Sequence, residues 1–413
     1  MALIVQKYGG TSVGDTERIR RVVRRVIETK KQGNDVVVVL SAMSGETNKL
    51  ISLAHQITED PDPRELDVLV STGEQITIAL FAIAAKTMGC DARSFLGHQV
   101  RILTDNAYGK ARITDIDTSL IRENLKQGRI IVIAGFQGID ADGNITTLGR
   151  GGSDTTAVAL ASALGADLCE IFTDVEGVFT TDPNVCSNAR KIDRISYDEL
   201  LEMASLGAKV MEIRSVEFAK RYNVPMHIRS SFNNNPGTMV VQEEEEMEDR
   251  VVTGVTYNKS EARITLTKVP DKPGIAARIF TPISDANIAV DMIIQNTRAS
   301  DLTDLTFTVP RADFRKAMEI VQRLGKEIGC ERVMGDENIA KVSLIGLGMR
   351  NHVGIAGKMF GTLATHNINI MMISTSEIKI SAIIDEKYTE LAVRVLHDAF
   401  ELEGTKDMPE TTQ

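Results

Sequence analysis

The chain has 413 residues, 43% hydrophobic and 25% charged, a composition that excludes wholesale disorder and fibrous repeats and calls for two or three domains. Its 57 acidic against 47 basic residues leave a formal charge of −10, which argues against a nucleic-acid-binding face. Cys90, Cys169, Cys186 and Cys330 are scattered without a CxxC pair, which points to reduced structural thiols rather than a metal cluster or disulfide framework.

The first strand, Ala2 to Lys7, runs into Lys7-Tyr8-Gly9-Gly10-Thr11-Ser12. Its four-residue apolar run is too short for a signal peptide, and no later run reads as long enough to span a membrane, so the cytoplasm is expected. Two glycines allow backbone N–H groups close to a phosphate, a strand lysine adds a full charge, and the helix beginning near Asp15 adds its positive end. A GG turn after a strand is by itself common. The basic stretch Arg18 to Lys31 alternates with Val22, Val23, Val26 and Ile27 and reads as the solvated face of that helix.

The next strand, Val36 to Leu40, leads into Ser41-Ala42-Met43-Ser44-Gly45-Glu46-Thr47, followed by a helix from Asn48. Ser71-Thr72-Gly73-Glu74 opens a further helix from Gly73. Both segments offer hydroxyl, N–H and carboxylate groups suited to a zwitterionic amino acid, with Glu74 for an ammonium group. The competing reading of Glu74 is a favourable charge at a helix start.

Strands at Ala92 to Phe95 and Arg129 to Ala134 precede a second glycine cluster, Gly149-Arg150-Gly151-Gly152-Ser153-Asp154-Thr155-Thr156, and a helix over Ala157 to Leu164. Arg150 can hold a carboxylate bidentately and Asp154 can act beside a reacting phosphoryl group. Simple N-capping by Ser153, Asp154 or Thr155 is the plainer alternative, but it requires neither the arginine nor the glycines. The strand Leu168 to Thr173 continues into Thr173-Asp174-Val175-Glu176-Gly177-Val178-Phe179-Thr180-Thr181-Asp182-Pro183, a loop able to hold a ribose and base or to be ordinary surface. A strand at Met226 to Arg229 closes the series. Strand–helix alternation of this kind predicts a mainly parallel sheet covered by helices on both faces.

Residues 231–250 turn polar and then acidic and read as a linker. Beyond it lies an internal repeat. Gly274-Ile275-Ala276 recurs as Gly354-Ile355-Ala356, Phe280 as Phe360, Asn287-Ile288 as Asn367-Ile368 and Met292-Ile293 as Met372-Ile373, each pair 80 residues apart. The register then slips to 75 residues, at Leu305 to Val309 against Ile380 to Ile384, which predicts a longer loop between the second and third strands of the first copy. Each copy reads as a small ferredoxin-like β-α-β-β-α unit. Pairing of such units through an edge or a helix face makes a dimerisation platform an additional role.

Familiar nucleotide signatures fail. GxxxxGK[ST] breaks at Gly357-Lys358, where Met359 follows and His352 holds the first glycine position, and neither the protein-kinase motifs nor GxGxxG after the first strand occur.

Jointly, KYGGTSVG, GRGGSDTTA, FTDVEGVFTTDP and Gly207-Ala208-Lys209-Val210 resemble the aspartate kinases of the amino-acid kinase superfamily, and the paired repeats resemble ACT domains. The resemblance covers nearly the whole chain. It implies a three-layer α/β/α kinase domain over residues 1–245 and two βαββαβ ACT domains over 251–335 and 336–413, with strands exchanged between them as an option. It implies MgATP as phosphoryl donor and aspartate as acceptor. Lys7, with Gly9, Gly10 and Ser12, would meet the transferring phosphoryl, and Asp154 would organise Lys7. Ser41, Thr47, Glu74, Arg150, Gly151, Gly152 and Ser153 would hold aspartate, with Arg150 on the α-carboxylate. Thr173, Asp174, Phe179, Asp182 and Lys209 would line the ATP site. Effector candidates are Asp271, Gly274, Ala276, Asp291 and Gln295 in the first repeat and Ile355, Asn367, Ile368 and Ser374 in the second, with lysine and threonine as the family's usual inhibitors. A homo-oligomer joined through the ACT domains is implied, and Met247 resembles an internal start from which some relatives make a separate regulatory subunit. Rival readings are another acid kinase of the superfamily and a catalytically silent amino-acid sensor. Lys7, Asp154 and Lys209 speak against silence, since sensing needs none of them.

Overall fold

The computed structural model describes residues 1–205, 211–243, 251–297 and 302–403. They divide into two compact units, one of Met1–Phe179, Lys191–Ser205 and residues 211–243, the other of Thr180–Arg190 and residues 251–403.

The first unit opens with β1 (Leu3–Tyr8), α1 (Thr16–Lys31), β2 (Asp35–Leu40), α2 (Glu46–Ile57), α3 (Pro63–Val70), α4 (Thr72–Thr87) and β3 (Ala92–Phe95). It continues through β4 (Ile102–Thr104), β5 (Ile113–Ile116), α5 (Ser119–Lys126), β6 (Ile130–Ala134), β7 (Gln137–Ile139), β8 (Ile145–Thr147), α6 (Gly152–Leu164) and β9 (Leu168–Thr173). Last come β10 (Arg194–Ser196), α7 (Tyr197–Ser205), α8 (Ile213–Tyr222), β11 (Met226–Ser230) and β12 (Thr238–Val241). An eight-stranded sheet has the order β10-β12-β11-β9-β1-β2-β6-β3, parallel except where β12 runs against β11. Its central strand β6, and β2 from Val36 to Leu40, are apolar and buried, as expected of a sheet covered on both faces. The short strands β4, β5, β7 and β8 form a separate four-stranded sheet that the sequence reading did not anticipate, since three- and four-residue strands carry little periodic signal.

Side-chain alternation along β1 sends Gln6 and Tyr8 to one face and Lys7 to the other. Tyr8 lies opposite Phe172 in the β1–β9 register, and their rings stack with centroids 4.6 Å apart, in the core that includes Val22, Val26 and Phe81. Burial, helped by the Glu170 carboxylate, pushes the Tyr8 phenol well above its ordinary range and keeps it neutral. Beside it Gln6 donates to Glu170 at 2.7 Å and Arg229 donates to the other Glu170 oxygen at 2.9 Å, so the buried carboxylate is paired.

By length and composition Pro63–Thr87 could cross a membrane, contrary to the sequence reading that no run is long enough. In the fold, α4 packs Ile78, Phe81 and Ala85 into the core and carries a buried Glu74.

The second unit holds β13 (Gly254–Asn258), β14 (Glu261–Pro270), α9 (Ile275–Asp285), β15 (Ile293–Thr297), β16 (Leu302–Pro310), α10 (Phe314–Ile328) and β17 (Arg332–Asp336). The second repeat follows as β18 (Ile339–Ile345), α11 (Ile355–Thr365), β19 (Met372–Thr375), β20 (Lys379–Asp385) and α12 (Thr389–Ala399). The sheets have the orders β15-β16-β14-β17 and β13-β18-β20-β19. Across the 335/336 boundary, where exchange of strands between the repeats is an expected option, β13 precedes the first repeat in sequence yet pairs with β18 of the second. An unpaired flank of β18 in an otherwise buried strand would leave backbone groups unsatisfied, and β13 supplies the partners. The division after residue 245 is also incomplete. Thr180–Arg190 belongs to the second unit, where Val255 N–H donates to Thr180 O at 2.7 Å, Val185 packs against the core around Leu344, and the Thr180 hydroxyl meets His397 at 2.9 Å.

Tyr8 owes its place to packing, since its hydroxyl reaches only Gln6, at 3.4 Å. Urea melts should show Tyr8→Phe within about 1 kcal/mol of the parent, whereas Tyr8→Ala should cost about 3–5 kcal/mol.

Candidate active site

The C-terminal ends of β1, β2 and β6 face one cleft of about 320 Å3. The chain leaves these strands in step: Ser41 N–H donates to Tyr8 O and Gly135 N–H to Leu40 O, so successive loops start at the same level.

Lys7 projects from the helix-α6 side of β1 and pairs with Asp154 at 2.5 Å, both side chains largely buried. The helix begins at Gly152, earlier than the expected Ala157, which places Asp154 in its first turn, where a carboxylate is favoured by the helix dipole. Gly151 caps the helix with φ of +66°, and a Cβ there would stand 2.3 Å from Glu212 Cβ. Only glycine fits that backbone and that gap.

Glu74, in the first turn of α4, is 3% exposed. One of its oxygens accepts from Ala42 N–H at 3.1 Å, and the other is buried with no hydrogen-bond partner among the described residues. Burial pushes its carboxyl up to about 7, against the lowering pull of the Ala42 N–H. An orphaned carboxylate oxygen in a cleft wall is a place for a ligand's cation, because leaving it unpaired costs free energy that a bound ammonium recovers.

Of the residues singled out from sequence, the cleft brings together Lys7, Gly10, Ser41, Thr47, Glu74, Arg150, Gly151, Gly152, Ser153 and Asp154. Gly9 lies under Lys7, with its N–H bonded to Phe172 O. The Ser12 hydroxyl is bonded to that of Ser231 at 2.9 Å. Thr173 ends β9 and donates to Asp174 at 3.1 Å, and Phe179 bridges to Lys191. Asp182 lies in the second unit, where it accepts from Tyr257 at 3.0 Å and from Asn184. Lys209 and Met247 fall outside the described residues.

Sequence reasoning missed Phe136 and Asn48, which also line the cleft. Phe136 has φ of +69°, a left-handed conformation rare for a large side chain, and its N–H donates to Thr156 at 3.1 Å. Nothing in the sequence signals that strain. Asp67 was missed as well. Its buried carboxylate accepts from Gly109 N–H at 2.9 Å and from the Thr147 N–H and hydroxyl, each at 2.7 Å, tying α3 to the strand that leads into Gly149 and Arg150. Arg214 holds the same stretch through Leu148 O at 2.9 Å and Ala111 O at 3.1 Å.

In the second unit the effector candidates fall in matching places of the two repeats. Gly274 and Gly354 cap α9 and α11; Asp271 precedes α9, Ala276 lies in its first turn, and Ile355 opens α11. Asp291 and Gln295 lie before and on β15, Ser374 lies on β19, and both are edge strands. Asn367 is left-handed with φ of +55°, and Ile368 is buried in the second repeat's core.

A mainly parallel α/β sheet with a lysine and an acidic helix start at its strand ends, joined to tandem ferredoxin-like units, defines an amino-acid kinase with ACT domains. The family models agree: the amino acid kinase family matches residues 2–230 and the ACT domain residues 267–323 and 342–400. An aspartokinase of Pseudomonas aeruginosa is 59% identical over 406 residues, covering 98% of both chains. Escherichia coli aspartokinase III in complex with aspartate and ADP superposes with a TM-score of 0.78 at 28% identity, covering 96% of this chain and 99% of that one. The same enzyme with lysine and aspartate gives 0.77 at 29% identity, with the same coverage. The chain belongs to the aspartokinase family.

Gly151→Ala must move Glu212 and strain the helix cap, so kcat/KM should fall by about 10²-fold or more through misplacement of Arg150 and Asp154. A folded Gly151→Ala protein with undiminished turnover would show that this cap does not set the site.

Proposed function

We propose that this chain transfers the γ-phosphoryl group of ATP to the β-carboxylate of L-aspartate, and that its ACT repeats take amino-acid effectors. The observation that carries the reading is the unpartnered Glu74 oxygen in the same cleft as the Lys7–Asp154 pair, one position for a substrate ammonium and one for a phosphate.

The β-carboxylate is ionised at neutral pH, with an ordinary pKa of about 3.9, so no general base is needed. One carboxylate oxygen attacks the γ-phosphorus, the bond to the β,γ-bridging oxygen breaks, and ADP leaves with that electron pair. Two anions must meet, and positioning with charge neutralisation does the work. Lys7 takes the γ-phosphoryl with the Gly9 and Gly10 amides and Ser12, while Asp154 orients Lys7. Glu74 takes the ammonium and Arg150 the α-carboxylate, and Ser41, Thr47, Gly151, Gly152 and Ser153 complete the acceptor pocket. Thr173, Asp174 and Phe179, with Lys209, serve the nucleotide. A bound Mg2+ would supply further neutralisation of the phosphate charge. Among the described residues no three His, Cys, Asp or Glu side chains converge, a donor set suited to an ion held largely by phosphate and water, with Asp154 the cleft carboxylate to share it.

Lysine and threonine are the effectors we assign to the repeats, and the lysine complex of the E. coli relative supports the first. We further propose a homo-oligomer joined through the ACT repeats.

ADP release should require aspartate and should not be supported by glutamate or acetylglutamate. Absence of turnover with every acceptor in a folded, ATP-binding sample would favour the silent sensor. Lys7→Met should lower kcat by about 10²-fold or more. With its carboxyl raised to about 7, Glu74 is protonated below that pH and loses its hold on an ammonium. The aspartate KM should therefore be flat above pH 7 and rise by up to about tenfold per unit below it. Glu74→Gln should flatten that profile and raise KM by about 10- to 100-fold; a profile that survives the substitution would sink this assignment.

A further inference from the structure

The two repeats meet through equivalent positions of opposite charge. Glu261 begins β14 and Lys341 lies on β18, 80 residues apart and so at the same position of each repeat. Their side chains meet at 2.5 Å, with 9% and 5% of their surface exposed. Lys341 also contacts Asp291, whose side chain is 54% exposed. The position equivalent to Asp291 in the second repeat is Met371, which joins Met292, Ile339, Met372 and Ile383 in an apolar cluster. The carboxylate is therefore present on one side of the repeat pair only.

One buried ammonium serves two carboxylates here, and the second oxygen of Glu261 is buried without a partner among the described residues. The cluster carries one negative charge more than it neutralises. Burial alone would lower the Lys341 ammonium's pKa, but Glu261 and Asp291 together raise it, so Lys341 stays charged. Asp291 is the member that reaches solvent, and any incoming ammonium must share its carboxylate with Lys341 or draw it away.

We infer that Lys341 sets the affinity of the effector site, as an internal counter-ion that competes with the effector's ammonium for Asp291 and so fixes the concentration at which inhibition begins. The inference rests on the reading of Asp291 as an effector ligand. Occupancy of Asp291 by Lys341 is the effector-free state, and the effector binds only by the difference between its own contacts and that pair. Glu261 moderates the competition. By engaging Lys341 itself, it weakens the hold of Lys341 on Asp291.

Two variants of the full chain should move the threshold in opposite directions. Glu261→Gln leaves Lys341 to Asp291 alone and should raise the half-inhibitory concentrations of lysine and threonine several-fold. The double variant Glu261→Gln/Lys341→Met removes one charge of each sign, frees Asp291, and should lower those concentrations and the calorimetric Kd by about tenfold. Adding Asp291→Asn to the double variant should erase that gain. A merely structural pair would shift both variants the same way, and shifts of equal sign, or none, overturn the inference. Should the double variant fail to fold, Glu261→Gln alone decides, since unchanged or stronger inhibition contradicts the competition. If the parent protein binds neither amino acid by calorimetry, the effector reading falls and takes this inference with it. If the parent binds and the variants match it, only the role of Lys341 falls.

Discussion

The ion pair between Lys7 and Asp154 joins a central strand of the main sheet to the helix that opens one side of the cleft. An ammonium buried at a strand end is strongly unfavourable without a carboxylate, so the start of α6 must lie where Asp154 can reach it. That requirement brings the Gly151 cap, the Arg150 loop and the Ser153 turn to one place. The tie of Asp67 to Thr147 and Gly109, and of Arg214 to Leu148, hold the approach to that loop from outside the cleft.

Within the cleft the carboxylates are treated differently. Asp154 has a protein cation, while Glu74 has one backbone N–H and an orphaned oxygen. The wall thus leaves one carboxylate oxygen without a hydrogen-bond partner among the described residues, a position that suits a hydrogen-bonding cation. This is how a site can discriminate: a ligand without an ammonium leaves the Glu74 oxygen unpaired and its desolvation uncompensated. The second unit repeats the principle with the opposite solution. There the protein supplies the ammonium itself, from Lys341, and the carboxylate it serves is half in solvent.

The second unit is also assembled out of sequence order. β13 crosses to the second repeat's sheet, and Thr180–Arg190, an excursion from the chain of the first unit, is held by Val255, Tyr257 and His397. His397 is buried, and that burial depresses its pKa, so the ring is neutral where it meets Thr180. The Asp182 carboxylate, a nucleotide-site candidate on sequence grounds, has both oxygens engaged within this unit.

By itself the sequence determined the alternating α/β pattern, the motifs at the strand ends and the internal repeat, because periodicity and glycine placement are local properties of the chain. It singled out Lys7, Glu74, Arg150 and Asp154 as candidate groups, which the fold gathers in one cleft. Tertiary structure alone decided which of them have partners. The orphaned oxygen of Glu74, the left-handed Phe136, the small second sheet, the exchange of β13 and the meeting of Glu261 with Lys341 all depend on elements distant in sequence coming within a few ångströms. Burial and pairing are properties of that three-dimensional neighbourhood, and no local pattern encodes them.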